Sequence, residues 1–248
     1  MIQMEVCCYS LNDCRVALQA GANRIELCGG LSDGGITPSA GLIQLVNQQI
    51  ALPVWVMIRP RGGDFVYDEQ EVAVMQADIE AMRQTGVAGV VLGCLNPDGT
   101  VDEHLTRQFI ELASPLPVTF HRAFDLTRDP FEALEAIIRT GAVRILTSGQ
   151  QPTAEAGADL LRALVKQAAG RIELMAGAGV NAQNAPLLAQ TGVDALHLSG
   201  QETTESTMQF RSPRVKMASA VQGEYQRFGT SEERLRRVQT ALAGVGRP

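Results

Sequence analysis

The stretch V-W-V-M-I-R-P-R-G-G-D-F, from Val54 to Phe65, joins a short apolar run to a charged, glycine-rich loop. Its first five residues, Val54–Ile58, are typical of a strand buried on both faces in a parallel sheet. The loop that follows carries Arg59, Arg61 and Asp64. Because α/β folds place their chemistry at the carboxyl ends of parallel strands, the stretch predicts an α/β protein with a functional site here.

The same alternation of a short apolar run and a longer amphipathic run occurs eight times in the 248 residues. The predicted strands are Met4–Cys8, Arg24–Cys28, Val54–Ile58, Gly89–Leu92, Val118–His121, Val143–Thr147, Ile172–Ala176 and Ala195–Ser199. The predicted helices are Leu11–Gln19, Ser39–Gln48, Asp68–Thr85, Glu103–Leu112, Pro130–Thr140, Ala156–Ala169, Ala182–Gln190 and Ser231–Ala243. Strand–helix alternation predicts a parallel sheet with right-handed crossovers.

Eight such units over residues 1–248 predict one domain, a closed (β/α)8 TIM barrel. An open, doubly wound sheet is the alternative, but the first strand-to-helix turn, residues 9–12, lacks the glycine fingerprint of a dinucleotide site. Residues 200–230, rich in Ser, Thr and Gln, are predicted as a long irregular segment between the last strand and the last helix.

Composition and charge exclude several classes of partner. The formal net charge is −6 and the isoelectric point is near 5.2, whereas a nucleic-acid-binding surface requires a basic stripe. No run of 18 apolar residues is present, so we expect no membrane span. The first residues lack the pattern of a signal peptide, and the five cysteines are an odd number, which argues against a disulfide framework. We therefore expect a cytoplasmic protein.

Polar residues share one parity within the predicted strands, and aliphatic residues share the other. Because side chains alternate along a strand, we expect the polar set inside the barrel and the aliphatic set beneath the helices. The polar set comprises Glu5, Cys7, Arg24, Glu26, Cys28, Met57, Arg59, Thr119, His121, His197 and Ser199. Buried charges require partners, which Glu5, Glu26, Arg24, Arg59 and an Arg144–Glu173 pair can supply.

Two kinds of site follow from residues at the strand ends. The first is an anion site, since guanidinium groups and glycine-rich turns bind carboxylates and phosphates. Its predicted residues are Arg59, Arg61, Arg122, Ser148, Gly177 and Gly179. For proton transfer beside it we consider Glu26, Asp64 and His121.

The second is a soft-metal site formed by Cys7 and Cys28, which share the inward parity on neighbouring strands and suit Cu(I). Buried free cysteines are also common as small apolar residues.

Several motifs together resemble one known family. They are M-E-V-C-C-Y-S from Met4, R-I-E-L-C from Arg24, G-G-I-T-P-S from Gly34, M-I-R-P-R-G-G-D-F from Met57, V-T-F-H-R-A-F-D from Val118, R-I-L-T-S-G-Q from Arg144 and M-A-G-A-G-V from Met175. Over about residues 1–245 the chain resembles the copper homeostasis protein CutC family. The resemblance implies a cytoplasmic TIM barrel, a homodimer, a link to copper tolerance and Cu(I) binding, with ligands at Cys7 and Cys28. Some relatives carry a further cysteine in the last strand, where this chain has His197-Leu198-Ser199.

Three functions therefore remain open from the sequence. One is a copper homeostasis protein that binds Cu(I) through Cys7 and Cys28. Another is a metal-free lyase, isomerase or hydrolase acting on a small anionic or phosphorylated metabolite at the C-terminal face of the barrel. The last is an interaction scaffold whose site has lost its ligand.

Overall fold

The computed structural model of the protein describes residues 2–214 and 224–246. Eight parallel strands form a closed barrel in the order β1 to β8, with β8 paired to β1. The barrel strands are β1 Gln3–Cys8, β2 Arg24–Leu27, β3 Val54–Met57, β4 Gly89–Leu92, β5 Val118–Phe120, β6 Arg144–Thr147, β7 Glu173–Gly177 and β8 Ala195–Leu198. The TIM barrel predicted from the sequence is confirmed.

The helices alternate with the strands as the sequence predicts. They are α1 Leu11–Gln19, α2 Ala40–Gln49, α3 Glu69–Met82, α4 Glu103–Ala113, α5 Pro130–Thr140, α6 Ala158–Ala168, α7 Ala185–Ala189 and α8 Glu232–Leu242. Short 3₁₀ turns lie at Leu31–Asp33 and Arg122–Leu126, immediately after strands β2 and β5. Both turns therefore stand at the carboxyl end of the barrel.

The structure describes residues 200–214 and 224–230 of the segment that we expected to be irregular, and residues 215–223 lie outside the described residues. Within the described part, strands β9 Gln201–Glu205 and β10 Gln226–Thr230 pair antiparallel and form a small sheet separate from the barrel. The Thr230 N–H donates to Asp13 of α1 at 2.8 Å, which ties this sheet to the first helix. The Gln, Glu and Thr residues of β9 concealed the strand, because a strand exposed to solvent lacks the alternating apolar pattern of a core strand.

The two faces of the barrel strands carry the predicted residue types. Val6, Ile25, Leu27, Val56 and Ile58 pack outward in the main apolar core beneath the helices. The inner side of the barrel instead holds a small cluster of Cys7, Cys28, Trp55, Met57 and Val91 together with buried charged residues. This arrangement leaves polar side chains at the centre of the molecule, directly below the site.

The helix termini follow their local sequence. Asp68 begins α3 with a capping box: its carboxylate accepts hydrogen bonds from Gln70 and Glu71, and Glu71 accepts one from the Asp68 N–H. The Asp129 side chain caps α5 by accepting hydrogen bonds from the Phe131 and Glu132 N–H groups, with Pro130 in the first turn. Gly141 ends that helix with φ of 91°. These caps fix where the loops at the barrel mouth begin and end. Among the described residues, no helix combines the length and the apolar character that crossing a membrane requires.

Candidate functional site

A pocket of about 330 Å³ opens at the carboxyl end of the barrel. Its polar lining comes from strands on opposite sides of the barrel and includes Cys7, Tyr9, Glu26, Arg59, His121, Arg122, His197 and Ser199. Apolar side chains complete the wall, among them Leu31, Met57, Phe65, Leu146 and Val180. The volume lies at the lower end of the range for small-molecule sites.

One wall of the pocket borders a cluster of potential metal-ligand atoms, which we call the cysteine–histidine cluster: Cys7, Glu26 and His197, which line the pocket, and the buried Cys28. The sulfurs of Cys7 and Cys28 lie 3.8 Å apart, and Cys28 Sγ lies 3.6 Å from Glu26 Oε2. Ligand atoms of Cys7, Glu26 and His197 all lie within 4.8 Å of one another. The cluster forms because β1 lies between β8 and β2, so that inward side chains of three adjacent strands converge.

His197 is oriented by a second set of buried groups. Its Nδ1 lies 2.8 Å from Glu5 Oε1, and Glu5 is itself paired with Arg24. The other ring nitrogen, Nε2, lies 3.5 Å from Glu26 Oε2 on the side of the cysteines. A histidine that binds a metal through one ring nitrogen usually has its other ring nitrogen held by a carboxylate, as Nδ1 of His197 is held by Glu5.

The charges of these groups are set by burial and by one another. Burial would raise the pKa of Glu5, but the hydrogen bond to His197 and the charge of Arg24 lower it to about 2. Burial would lower the pKa of His197, but the acids around it, Glu26, Cys7 and Glu5, raise it well above its usual value. The hydrogen bond with Cys28 lowers the pKa of Cys7, despite burial, with a further contribution from His197. These shifts favour the charged forms of both Cys7 and His197.

The pKa values of Cys28 and Glu26 are raised, whereas that of Cys7 is lowered. The hydrogen bond with Cys7 and burial raise the pKa of Cys28 well above its usual value. Burial, followed by the nearby charge of Cys7, raises the pKa of Glu26 in the same sense. These shifts favour the protonated forms of both groups.

The opposite wall holds His121, at the end of β5. The side chain is 3% exposed and packs against the Phe65 ring at a centroid distance of 4.7 Å. Its Nδ1 accepts a hydrogen bond from the Ala123 N–H at 3.2 Å. Burial and the charge of Arg59 lower the pKa of His121 to about 3. The ring is therefore neutral and carries its proton on Nε2, which has no hydrogen-bond partner among the described residues.

Arg59 lies in the pocket wall, but its donors are arranged differently from our expectation. Nη1 donates to the carbonyls of Asp33 and Gly35 at 2.8 and 2.9 Å, and Nη2 donates to Gly63 at 2.7 Å. The guanidinium also lies over the Phe65 ring, 4.7 Å from its centroid. Arg59 thus joins the loops after β2 and β3, and only its Nε, which is buried, has no partner among the described residues.

Arg61 and Asp64 stand outside the pocket, contrary to the predicted anion and proton-transfer roles. Arg61 pairs with Glu71 of α3 and with Asp64, and its Nη2 donates to the Val66 carbonyl at 2.8 Å. The Asp64 side chain is 67% exposed. Because the pocket lining includes neither residue, the structure does not bring Asp64 together with His121.

Arg122 and Ser148 are joined by Asp125. Arg122 Nε donates to Asp125 Oδ2 at 2.7 Å, and its Nη2 donates to Ser148 Oγ at 3.1 Å. Asp125 also accepts hydrogen bonds from Thr147 and from the Ser148 and Gln150 N–H groups. Arg122 lines the pocket, whereas Ser148 is buried behind it.

The predicted glycines have separate roles. Gly179, with φ of 72°, lines the pocket, as expected for a residue of an anion-binding turn. A Cβ at Gly177 would lie 2.6 Å from Leu146 Cδ1 and 3.3 Å from His197 Cβ, so Gly177 makes room for neighbouring side chains. Gly93 does the same for His121, because a Cβ there would lie 2.6 Å from His121 Nδ1. We had not predicted Gly93.

His197 is the residue of the site that the sequence interpretation missed. Its inward parity was recognised, but no site role was assigned to it. The sequence signal for His197 is its position on the eighth strand. This strand must pair with β1 to close the barrel, and the observed register then places His197 beside Glu5.

Comparisons with known proteins agree with this geometry. The CutC family model matches residues 2–202. A CutC protein of Porphyromonas gingivalis is 45% identical over 98% of this chain and 99% of its own length. The human copper homeostasis protein cutC homolog is 45% identical over 88% of this chain and 80% of its own length.

Solved structures show the same fold. A CutC structure from Streptococcus agalactiae superposes with a TM-score of 0.76 at 36% identity, covering 80% of this chain and 99% of its own. A thiamine phosphate pyrophosphorylase of Pyrococcus furiosus, at 17% identity and a TM-score of 0.58, shares the barrel alone. The chain therefore belongs to the CutC family, the family that contains these copper homeostasis proteins.

Proposed function

We propose that the protein binds Cu(I) at the cysteine–histidine cluster, with Cys7, Cys28 and His197 as ligands. The observation that carries the proposal is the pair of buried sulfurs 3.8 Å apart, next to an imidazole whose other nitrogen is held by a carboxylate. Thiolate and imidazole are the ligands that a soft ion such as Cu(I) selects.

The distance between the sulfurs fits a shared metal ion. With metal–thiolate bonds of about 2.3 Å, two sulfurs in trigonal or tetrahedral coordination lie about 3.8 to 4.0 Å apart. The observed separation of 3.8 Å requires no movement of β1 against β2. Burial raises the pKa of Glu26, the fourth member of the cluster, and so disfavours its carboxylate form; the three softer atoms therefore make the better ligand set.

The proposal extends to the setting in which the protein works. We infer a cytoplasmic protein that functions as a homodimer, as members of this family are expected to. The five cysteines are all free and buried, which agrees with a reducing compartment. Copper is here the cargo of the protein, and its binding requires no reaction in the barrel.

The test is an anaerobic titration of the metal-free protein with Cu(I) in competition with a chromophoric chelator. We expect uptake of about one Cu(I) per chain in the wild type and its loss in the Cys7→Ser/Cys28→Ser double variant, because thiolates are the preferred ligands. The matched control is Cys94→Ser, which removes a buried thiol outside the pocket lining. Unchanged uptake in the double variant would overturn the proposal.

A complementary measurement identifies the third ligand. X-ray absorption of the loaded wild type should show two sulfurs and one nitrogen around copper. His197→Phe should reduce the affinity and remove the nitrogen contribution while both sulfurs remain. If the spectrum of the His197→Phe protein is the same as that of the wild type, His197 is not a ligand.

A further inference from the structure

The copper proposal leaves unexplained several polar atoms of the pocket and the wall that holds Arg59 and His121. Six buried side-chain N or O atoms have no hydrogen-bond partner among the described residues. Three of them, Glu26 Oε1, Arg59 Nε and His121 Nε2, belong to residues that line this one pocket. Because a buried polar atom without a partner costs about 1–3 kcal/mol, such a concentration indicates a missing ligand rather than chance.

The charge of this wall is positive. Arg59 is 5% exposed and forms no salt bridge with any described carboxylate, since its hydrogen bonds go to main-chain carbonyls. A buried cation without an acidic partner is costly and attracts a negative charge into the adjacent space. Arg122 adds a second guanidinium at the rim, although Asp125 partly neutralises it.

The acidic side chains near the pocket already have other partners. Glu5 pairs with Arg24, Asp125 pairs with Arg122, and Glu26 Oε2 lies against Cys28 and His197. His121 is neutral and contributes a hydrogen-bond donor without a charge. Arg59 is therefore a cation without an acidic partner among the described residues, and it lines a cavity that also holds a neutral donor.

We propose that the pocket binds a small organic anion, with Arg59 supplying the positive charge and His121 Nε2 donating a hydrogen bond to one of its oxygens. The cavity of about 330 Å³ corresponds to about ten water volumes, which suits a molecule of the size of a three- to five-carbon acid or phosphate ester. The main-chain N–H groups of Gly179 and Val180, which donate to no described residue, lie on the same rim.

The binding site is separable from the copper ligands. His121 follows β5, across the barrel from β1, and Arg59 follows β3, which pairs with β2. Neither residue is among the proposed copper ligands. Anion binding therefore requires neither Cys7 nor a metal ion, and the two proposals can fail independently.

The test uses three related probes with the metal-free protein: glycerol 3-phosphate, glycerate and uncharged glycerol, each titrated by calorimetry at millimolar concentrations. We expect binding of at least one of the two anions and none of glycerol. Comparison of the two anions decides between a phosphate and a carboxylate as the preferred group. Absence of binding by both anions, or equal binding of glycerol, would overturn the proposal.

Single-residue variants identify which side chains bind the anion. His121→Phe retains an aromatic ring against Phe65 but removes the donor, and we expect the affinity for the bound anion to fall about ten-fold. Cys94→Ser, which removes a buried thiol outside the pocket lining, should bind the anion as the wild type does. Arg61→Ala, outside the pocket, serves as the control for general changes in charge. An unchanged affinity in folded His121→Phe would exclude His121 as the donor and overturn the proposal.

A measurement on the wild type covers the case in which His121→Phe does not fold. With histidine labelled with ¹⁵N, the Nε2 resonance of His121 should shift when the anion is added and stay unchanged with glycerol. His104, which is exposed on α4, provides an internal reference. If His121 and His104 respond equally, the anion does not bind at the pocket.

Discussion

At the scale of single residues, the neighbours of two histidines that line one pocket shift the pKa values of the two rings in opposite directions. Burial and the Arg59 charge keep His121 neutral. Burial acts on His197 as well, but there the surrounding acids prevail and favour the imidazolium. Residue type alone therefore does not give the chemistry of either ring, whereas the neighbouring charge does. The same pocket thereby presents a soft-ligand wall and a hydrogen-bond-donor wall.

The neutral state of His121 makes a prediction about stability and pH. Its pKa of about 3 in the folded protein lies below the value of about 6.5 expected when unfolded, so between these values the unfolded chain binds more protons. The contribution of His121 therefore destabilises the protein as the pH falls from about 6.5 towards 3, by up to about 1.4 kcal/mol per pH unit.

Urea denaturation of the wild type and of His121→Phe at pH 6.5, 5.5 and 4.5 would measure this contribution, about 1.4 kcal/mol per unit being the upper limit. Since other groups titrate equally in both proteins, the difference between the two slopes isolates His121. We expect the free energy of unfolding of the variant to fall less steeply with acidification. Parallel slopes would mean that the ring is protonated in the folded state.

At the scale of elements, the two arginines of the loop between β3 and α3 also hold the loop in place through hydrogen bonds and an ion pair within the protein. Arg59 binds three main-chain carbonyls, and Arg61 binds Glu71 at the start of α3. Glu71 is also the second partner of the Asp68 capping box. The start of α3 and the conformation of the loop therefore depend on one another, and the loop holds Phe65 against His121.

Removing the cap should weaken this element without entering the pocket. We expect Asp68→Ala to lower the free energy of unfolding by about 1 kcal/mol, because the N–H groups of Gln70 and Glu71 lose their acceptor. Asp68→Asn, which keeps an accepting oxygen, is the matched control and should lose less. Urea denaturation measures both. Equal losses would assign the effect to the charge of Asp68 and not to the capping hydrogen bonds.

At the scale of the whole molecule, the barrel has a polar interior that the sequence pattern predicts well. The Glu5–Arg24 and Arg144–Glu173 pairs form as expected, and the two guanidiniums lie on Trp55, at 5.9 and 4.9 Å from ring centroids. Alternation along each strand decides which side chains point inward, and the order of the strands decides which of them meet.

The parts that the sequence could not predict depend on loop conformation and on contacts distant in the chain. Whether the Arg59 donors face a ligand or main-chain carbonyls depends on the path of residues 33–35 and 63, which no local pattern encodes. The contact between Glu5 and His197 spans 192 positions and exists only once the barrel closes. Cys7 and Cys28 were easier to pair, because they lie on adjacent strands with the same parity.

The last helix, which lies beyond the 2–202 range of the family model, packs against the end of β8. Leu235 of α8 is fully buried, and it packs so closely on Gly200 that a Cβ there would lie 2.7 Å from Leu235 Cδ2. We expect Leu235→Ala to lower the free energy of unfolding by about 2–4 kcal/mol, because it leaves a cavity between α8 and the end of β8. Leu45→Ala on α2, where the side chain is 44% exposed, is the control and should cost less than about 1 kcal/mol. Urea denaturation measures both variants, and similar losses in the two would contradict a stabilising contact between α8 and the end of β8.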